Sequence, residues 1–220
     1  MNIEWKQEWL SLLAIVATFI LSAVFYSQLP DPMPIHWNSA GQADNYAPRF
    51  IGAFLLPVIM LFIYLLLLVV PRIDPRRKNI ERFNDTYTLL RHGILLFMGY
   101  IHVVVLYSVL SNQDTLVVSF VVGGVGILFM VIGNYMPRMR SNWFMGIRTP
   151  WTLSSDFVWR KTHRLGGRLF ILAGLLIFLT AFLRTELTVF AIILAVVLAS
   201  LVPIIYSYLL YKQEQNTSSA

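Results

Sequence analysis

Four histidines, eleven carboxylates and no cysteine are the groups from which this 220-residue chain could build chemistry. His36 and Asp44 share one polar stretch and are the pair with most chemical potential. Two ligands do not fill a metal shell. An ordered cap over the membrane, a peptide or ligand contact, and a metal site are the readings this stretch allows. The other histidines, His92, His102 and His163, fall on other levels of the topology derived below and cannot join it. There is no His-Glu-x-x-His, no Gly-x-Ser-x-Gly and no phosphate-cradling glycine loop. Zero cysteines exclude disulfides, thiolate metal sites and thiol catalysis. No catalytic residue, metal or cofactor is expected, and the chain does not read as an enzyme.

A second group of candidates lies in Gly133–Arg168, GNYMPRMRSNWFMGIRTPWTLSSDFVWRKTHRLGGR. It holds seven of the seventeen Lys and Arg and three of the six Trp, but one acid, Asp156. Such a segment is expected to lie along a charged membrane surface, with Arg and Lys reaching lipid phosphates and Trp143, Trp151 and Trp159 anchoring at headgroup depth. Asn134 can cap carbonyls freed by the last helical turn before Pro137. Pro150 pushes Thr149 out of helical geometry. Thr152 or Ser154 can then cap a new helix that carries Asp156 in its first turn and runs through Gly166-Gly167. Arg148 stands apart from the charged cluster, between Ile147 and Thr149-Pro150-Trp151. A guanidinium there calls for a specific partner such as a carbonyl, an aromatic face or a phosphate, as a structural clamp or in binding.

These stretches need elements to hold them. Apolar residues make up 57% of the chain and charged ones 13%, against about 25% charged in soluble domains. The apolar residues come in blocks of about 20, the length a bilayer demands. Six spans result: Leu10–Gln28, Ile51–Val70, Gly93–Ser111, Thr115–Ile132, Leu169–Leu183 and Leu187–Leu210. Fifteen of the seventeen Lys and Arg fall at the termini or in the second and fourth loops, leaving Arg49 and Arg184 on the other side. That bias places both termini in the cytoplasm and the first loop outside. It also accounts for the net charge of +6 without nucleic-acid binding.

In the outer loop, Leu29–Phe50, Pro30, Pro32 and Pro34 favour an extended exit from the membrane. Asn38-Ser39-Ala40-Gly41 signals a turn, with Gly41 free to take positive φ. The result is a hairpin-like cap with Trp37 at the interface. In the second loop, Asp74-Pro75 resembles a helix start, and Ile80, Phe83, Tyr87 and Leu90 form an apolar stripe expected of a helix lying in the interface. It sets topology or docks a cytosolic partner or anionic lipid. The third and fifth loops are short, making tight antiparallel helix pairs, and Gly123, Gly124 and Gly126 permit close helix approach. No Asp, Glu, Lys or Arg falls inside the spans. His102, the sole ionisable side chain near mid-membrane, is expected to hydrogen-bond a neighbouring helix. That pattern leans against ion-coupled transport.

Gly133-Asn134-Tyr135-Met136-Pro137, Asn142-Trp143-Phe144-Met145-Gly146-Ile147-Arg148-Thr149-Pro150-Trp151-Thr152-Leu153 and Val158-Trp159-x-x-Thr162-His163-Arg164 together resemble the SdpI family of bacterial membrane immunity proteins. The outer loop, with Pro34-Ile35-His36-Trp37-Asn38 and Gly41-x-x-Asp44, is similar to the DUF1648 region that precedes the SdpI-type half in many members. The resemblance implies resistance to a secreted killing-factor peptide. In the founding member it further implies a receptor that holds a cytosolic transcriptional repressor at the membrane. It puts Arg148, Thr149, Pro150, Trp151, Asn134 and Trp159 on a cytoplasmic functional surface, and His36, Trp37, Gly41 and Asp44 where the peptide is first met.

The expectation is an all-α, polytopic six-helix bundle of the bacterial cell membrane. Residues 1–92 form a DUF1648-like region and residues 93–220 an SdpI-like region. Its partners are the lipid bilayer and a toxic peptide, with a cytosolic repressor as a further one. A small-solute transporter or channel is the alternative, and would need a water-accessible path past His102.

Overall fold

The computed structural model describes residues 5–183 and 186–218. Arg184, counted above in the fifth loop, lies outside them. Helix α1 (Trp5–Phe25) is followed by a short hairpin of β1 (Met33–Trp37) and β2 (Ala43–Ala47), then α2 (Arg49–Ile73) and a five-residue helix α3 (Arg77–Glu81). Next come α4 (Asn84–Ser111), α5 (Asp114–Tyr135), a five-residue α6 (Pro150–Ser154), α7 (Asp156–Thr180) and α8 (Glu186–Ser218). Six of these helices are long and apolar enough to cross a membrane. Exposed side chains such as Phe62 on α2, Leu172 on α7 and Phe190 on α8 cover them with the surface that hydrocarbon, not water, solvates.

The first three spans form one packed group. Ile15 of α1, Met60 and Tyr64 of α2 and Leu95 of α4 make a buried cluster. Nearer the hairpin, Leu29, Met33, Ala53, Leu106 and Val109 make another. Helix α2 contains Pro57 and Pro71, and each leaves the carbonyl four residues back without a helical donor. Other helices supply the missing donors. The Ser22 hydroxyl of α1 donates to Ala53 O at 2.6 Å, and the Tyr87 hydroxyl of α4 donates to Leu67 O at 2.6 Å. Since the Ser22 proton is thus committed, its oxygen accepts from His102 Nε2 at 2.9 Å. His102 therefore hydrogen-bonds a neighbouring helix, as its isolation in the sequence suggested.

Helices α5 and α7 pack backbone to backbone. A Cβ on Gly126 would stand 2.7 Å from Gly174 O, and one on Gly133 2.6 Å from Gly167 O. The reverse substitutions at Gly174 and Gly167 would meet Gly126 O and Gly133 O at 2.4 and 2.5 Å. Two reciprocal glycine pairs, seven residues apart on each antiparallel helix, draw the axes together as small residues do in membranes. Of the three glycines expected to serve this way, Gly126 does so against α7 and Gly124 against α4, where a Cβ would stand 2.7 Å from the Tyr100 ring, while Gly123 faces Phe182 at ordinary contact distance.

Three local readings are corrected. Asp74 ends α2 rather than starting a helix, and accepts the Arg76 amide at 2.6 Å in a side-chain turn. Ile80, Phe83, Tyr87 and Leu90 face inward, in a core with Met139 and Trp159, rather than into the bilayer interface. The spans also run longer than drawn: α1 brings Glu8 and α4 brings Arg91 into the protein, where their side chains pair while almost wholly buried.

Candidate functional site

The polar structure lies at two opposite ends of the bundle. At one end the hairpin spans Met33–Ala47, and the turn expected at Asn38–Gly41 is present. Asn38 Oδ1 accepts the amides of Ala40 and Gln42, both at 3.0 Å, and Gly41 takes φ +77°. His36 Nδ1 and Asp44 Oδ1 lie 2.5 Å apart across the strands, both exposed. Trp37 is half-buried and has a protein partner. Its Nε1 donates to Asp114 Oδ1 at 3.1 Å, which fastens the hairpin to the α4–α5 connection. Among the described residues no group of three or more His, Cys, Asp or Glu could hold a metal ion.

The other end is built by residues 136–155 against the α2–α3 connection and α8. The segment is ordered from within by Asn142, which is fully buried. Its Oδ1 accepts the amides of Phe144 and Met145, and its Nδ2 donates to the carbonyls of Arg140 and Met145. From outside, Asp74 Oδ2 accepts the Trp143 amide at 2.9 Å. Arg76 donates to Ser141 Oγ and, at 2.8 Å, to Leu153 O, with its guanidinium over the Trp143 ring. A cleft of about 450 Å3 opens between Arg76, Asn79, Leu153, Ser154 and Asp156.

At the centre of this end, Gly146 takes φ +100°, and a Cβ there would meet His163 Nε2 at 2.3 Å. The close approach lets the Ile147 amide donate to His163 Nε2 at 3.0 Å, while His163 Nδ1 donates to Trp159 O at 2.8 Å. These two bonds fix a neutral ring with its proton on Nδ1. Arg148 turns outward and donates to Trp143 O at 2.5 Å, so its partner is a carbonyl. Thr149, with Pro150 in the first helical position after it, caps α6 in a reciprocal box with Thr152. Thr149 Oγ1 also lies 3.0 Å from Ser207 Oγ of α8. Trp151 packs on Tyr208 of α8, ring centres 5.1 Å apart.

The helix starts therefore fall at Thr149 and Ser155, not at Thr152 or Ser154. Ser155 Oγ accepts the Val158 amide at 3.3 Å and donates to Glu214 of α8 at 3.0 Å. Asp156 does sit in the first turn of α7, which continues unbroken through Gly166-Gly167.

Arg148, Thr149, Pro150 and Trp151 are thus held together on one turn. The other two candidates are not part of it. Trp159 is 1% exposed, stacked on His163 with ring centres 3.9 Å apart, and its Nε1 donates to Met139 O at 2.9 Å. It holds the core and anchors no interface. Asn134 lies exposed in the last turn of α5; the carbonyls it was expected to cap are followed by a tight turn over Met136–Arg138.

Reading residues in sequence missed Asp74, Arg76, Ser141, Asn142 and Ser207, which frame that turn. Asp74, Arg76, Ser141 and Ser207 make their decisive bonds to residues far away in the chain, while the bonds of Asn142 run to its own neighbours and show only once the loop is folded around it. The one available signal is an Asp and an Arg beside Pro75 just where an apolar span ends.

Six helices long and apolar enough to cross a bilayer, with the hairpin and the loop structure at their two ends, make this a multi-pass protein of the cell membrane. Residues 138–207 match the SdpI/YfhL protein family, and residues 13–61 match the domain of unknown function DUF1648. The resemblance read from its motifs is borne out by both matches. The chain is 27% identical over 216 residues to the immunity protein SdpI of Bacillus subtilis (strain 168), covering 94% of this chain and 97% of that protein. Over 47 residues it is 47% identical to the uncharacterized membrane protein YbgB of the same organism, covering 21% of this chain and 52% of that one. No solved structure matches it.

Proposed function

We propose that this chain is a membrane immunity protein that protects its cell from a secreted killing-factor peptide of the SDP type. The observation that carries the reading is the end-to-end likeness to the immunity protein SdpI, which spans 94% of this chain. On this reading residues 1–92 are the DUF1648-type half and residues 93–220 the SdpI-type half. The two family matches, over residues 13–61 and 138–207, support that division, although α4 runs through the boundary and both halves share a core.

Both termini and the basic loops face the cytoplasm, an orientation supported by the fifteen-to-two distribution of Lys and Arg. The exposed hairpin with His36, Trp37, Gly41 and Asp44 is where the peptide first meets the protein. The Arg148–Trp151 turn is the inner functional surface, and the adjoining 450 Å3 cleft is the place for a cytosolic repressor to dock. The hydrogen bond between His102 and Ser22 gives that histidine a packing role, and the buried charges near the span ends, Glu8 and Arg91, are paired with each other.

The test is expression in a strain sensitive to the peptide, followed by toxin titration. Protection that is lost in an Arg148→Ala, Trp151→Ala double variant at normal membrane abundance supports the whole reading. Protection retained in full by the double variant removes the inner surface from it.

A further inference from the structure

Four arginines from three segments converge on one cleft of about 530 Å3. Arg82 comes from the α3–α4 turn, Arg138 and Arg140 from the stretch after α5, and Arg160 from the first turns of α7. All four are exposed. Glu81 and Asp85 also line the cleft, so its rim carries two acids against four guanidinium groups. The floor is apolar, with Phe83 and Met139 both buried. Thr86 lines the cleft in the first turn of α4, where no side chain caps the helix. Its free amides and the positive end of its dipole add to the attraction for an anion.

Depth and a neighbouring groove separate a lipid from a free anion. The cleft lies where the apolar spans of α4 and α7 begin and that of α5 ends, which is headgroup level. Asp85 is also on the edge of a second groove of about 600 Å3 between α1 and α4, where Trp9, Leu10, Leu89 and Leu96 supply an apolar wall. A basic pocket that adjoins an apolar groove at span-end depth matches a molecule with a phosphate head and a hydrocarbon tail. We propose that this cleft binds the phosphate headgroup of an anionic phospholipid, with an acyl chain lying along the α1–α4 groove. Arginine suits the task because its planar fork meets two phosphate oxygens at once. The site is separate from the Arg148–Trp151 turn, and the proposal stands whether or not the chain confers immunity.

The experiment is native mass spectrometry of the purified full-length protein in detergent, titrated separately with phosphatidylglycerol, phosphatidylcholine and inorganic phosphate. An Arg82→Gln, Arg140→Gln, Arg160→Gln variant is compared with an Arg77→Gln, Lys78→Gln, Arg168→Gln variant that loses the same charge outside the cleft. The wild type should retain phosphatidylglycerol in preference to phosphatidylcholine. The cleft variant should bind it about a hundredfold more weakly, with the second variant close to wild type. Equal losses in both variants would reduce the effect to general surface charge and overturn the site, as would equal binding of phosphatidylcholine. Inorganic phosphate that binds the wild type as tightly as the lipid, and is lost in the cleft variant, would overturn the lipid in favour of a free anion. If the triple variant fails to fold, Arg140→Gln and Arg160→Gln, both at exposed positions, carry the same comparison singly, each with a several-fold loss expected.

Discussion

His163 accepts the amide hydrogen of Ile147 at 3.0 Å, and this single bond seats the Gly146–Leu153 stretch on the first turns of α7. It exists because Gly146 has no side chain: the ring occupies the place of its Cβ. His163→Ala should leave the Ile147 amide unsatisfied, and Gly146→Ala should force the ring away in addition to straining a backbone at positive φ. Each is expected to cost about 1–3 kcal/mol, read as a lower thermal midpoint in detergent and as faster proteolysis between residues 140 and 155. Unchanged cleavage in both would show that the stretch is held without this bond.

The proline-released carbonyls make a test by rescue. Ser22→Ala removes the donor to Ala53 O, at a cost of about 0.6–2 kcal/mol in a membrane protein. Pro57→Ala in the same chain returns a backbone donor to that carbonyl. The double variant should therefore be more stable than Ser22→Ala alone, measured by thermal unfolding. Additive losses would mean that Ser22 matters only through His102. Tyr87→Phe with Pro71→Ala forms the parallel pair for Leu67 O.

Glu8 and Arg91 pair inside the bundle, each about 3% exposed. Removing one charge leaves the other buried and uncompensated. Arg91→Met is expected to destabilise by about 3–5 kcal/mol, and Glu8→Leu, Arg91→Met together by much less. Membrane abundance and detergent melting curves both report the difference. A double variant as poor as the single one would assign the pair a role beyond charge balance.

The glycine pairs of α5 and α7 leave no room for a side chain. Gly133→Leu should separate the helices at Gly167 and cost about 2–4 kcal/mol by overpacking, whereas Gly93→Ala, where an added Cβ meets nothing within 4 Å, should be neutral. Folded yield in detergent distinguishes them.

These relationships mark how far the sequence could be read. The six spans, the hairpin turn at Asn38–Gly41 and the helix that carries Asp156 through Gly166-Gly167 were all legible, because each rests on local composition, a turn preference or unbroken periodicity. Trp159 was misread as an interface anchor. Its basic, aromatic neighbourhood looks like a membrane surface, while its burial depends on α4 and on Met139, twenty positions away. The stripe Ile80–Leu90 was misread for the same reason: an apolar face has the same pattern whether it meets lipid or protein. Glu8 and Arg91 fell just beyond the apolar stretches, so a hydropathy boundary hid a buried ion pair. Arg148 was correctly expected to have a specific partner, but which carbonyl it finds is set by Asp74, Arg76 and Asn142, whose bonds shape the stretch around it.

At the inner surface, Thr149→Ala should lose the α6 cap and its contact with Ser207, a cost of about 1 kcal/mol, with little change in abundance. On the proposed function it also weakens protection, because the Arg148–Trp151 turn loosens. Protection at wild-type level would separate the order of that turn from the activity.

The central claim is immunity, and survival tests it most directly. A sensitive bacterium carrying this chain, with its membrane level checked by blot, is exposed to graded killing-factor peptide beside a strain carrying the empty vector. The account predicts a substantial rise in the lethal dose, abolished by Arg148→Ala with Trp151→Ala at equal abundance. An unchanged lethal dose in a strain with abundant, folded protein would contradict it.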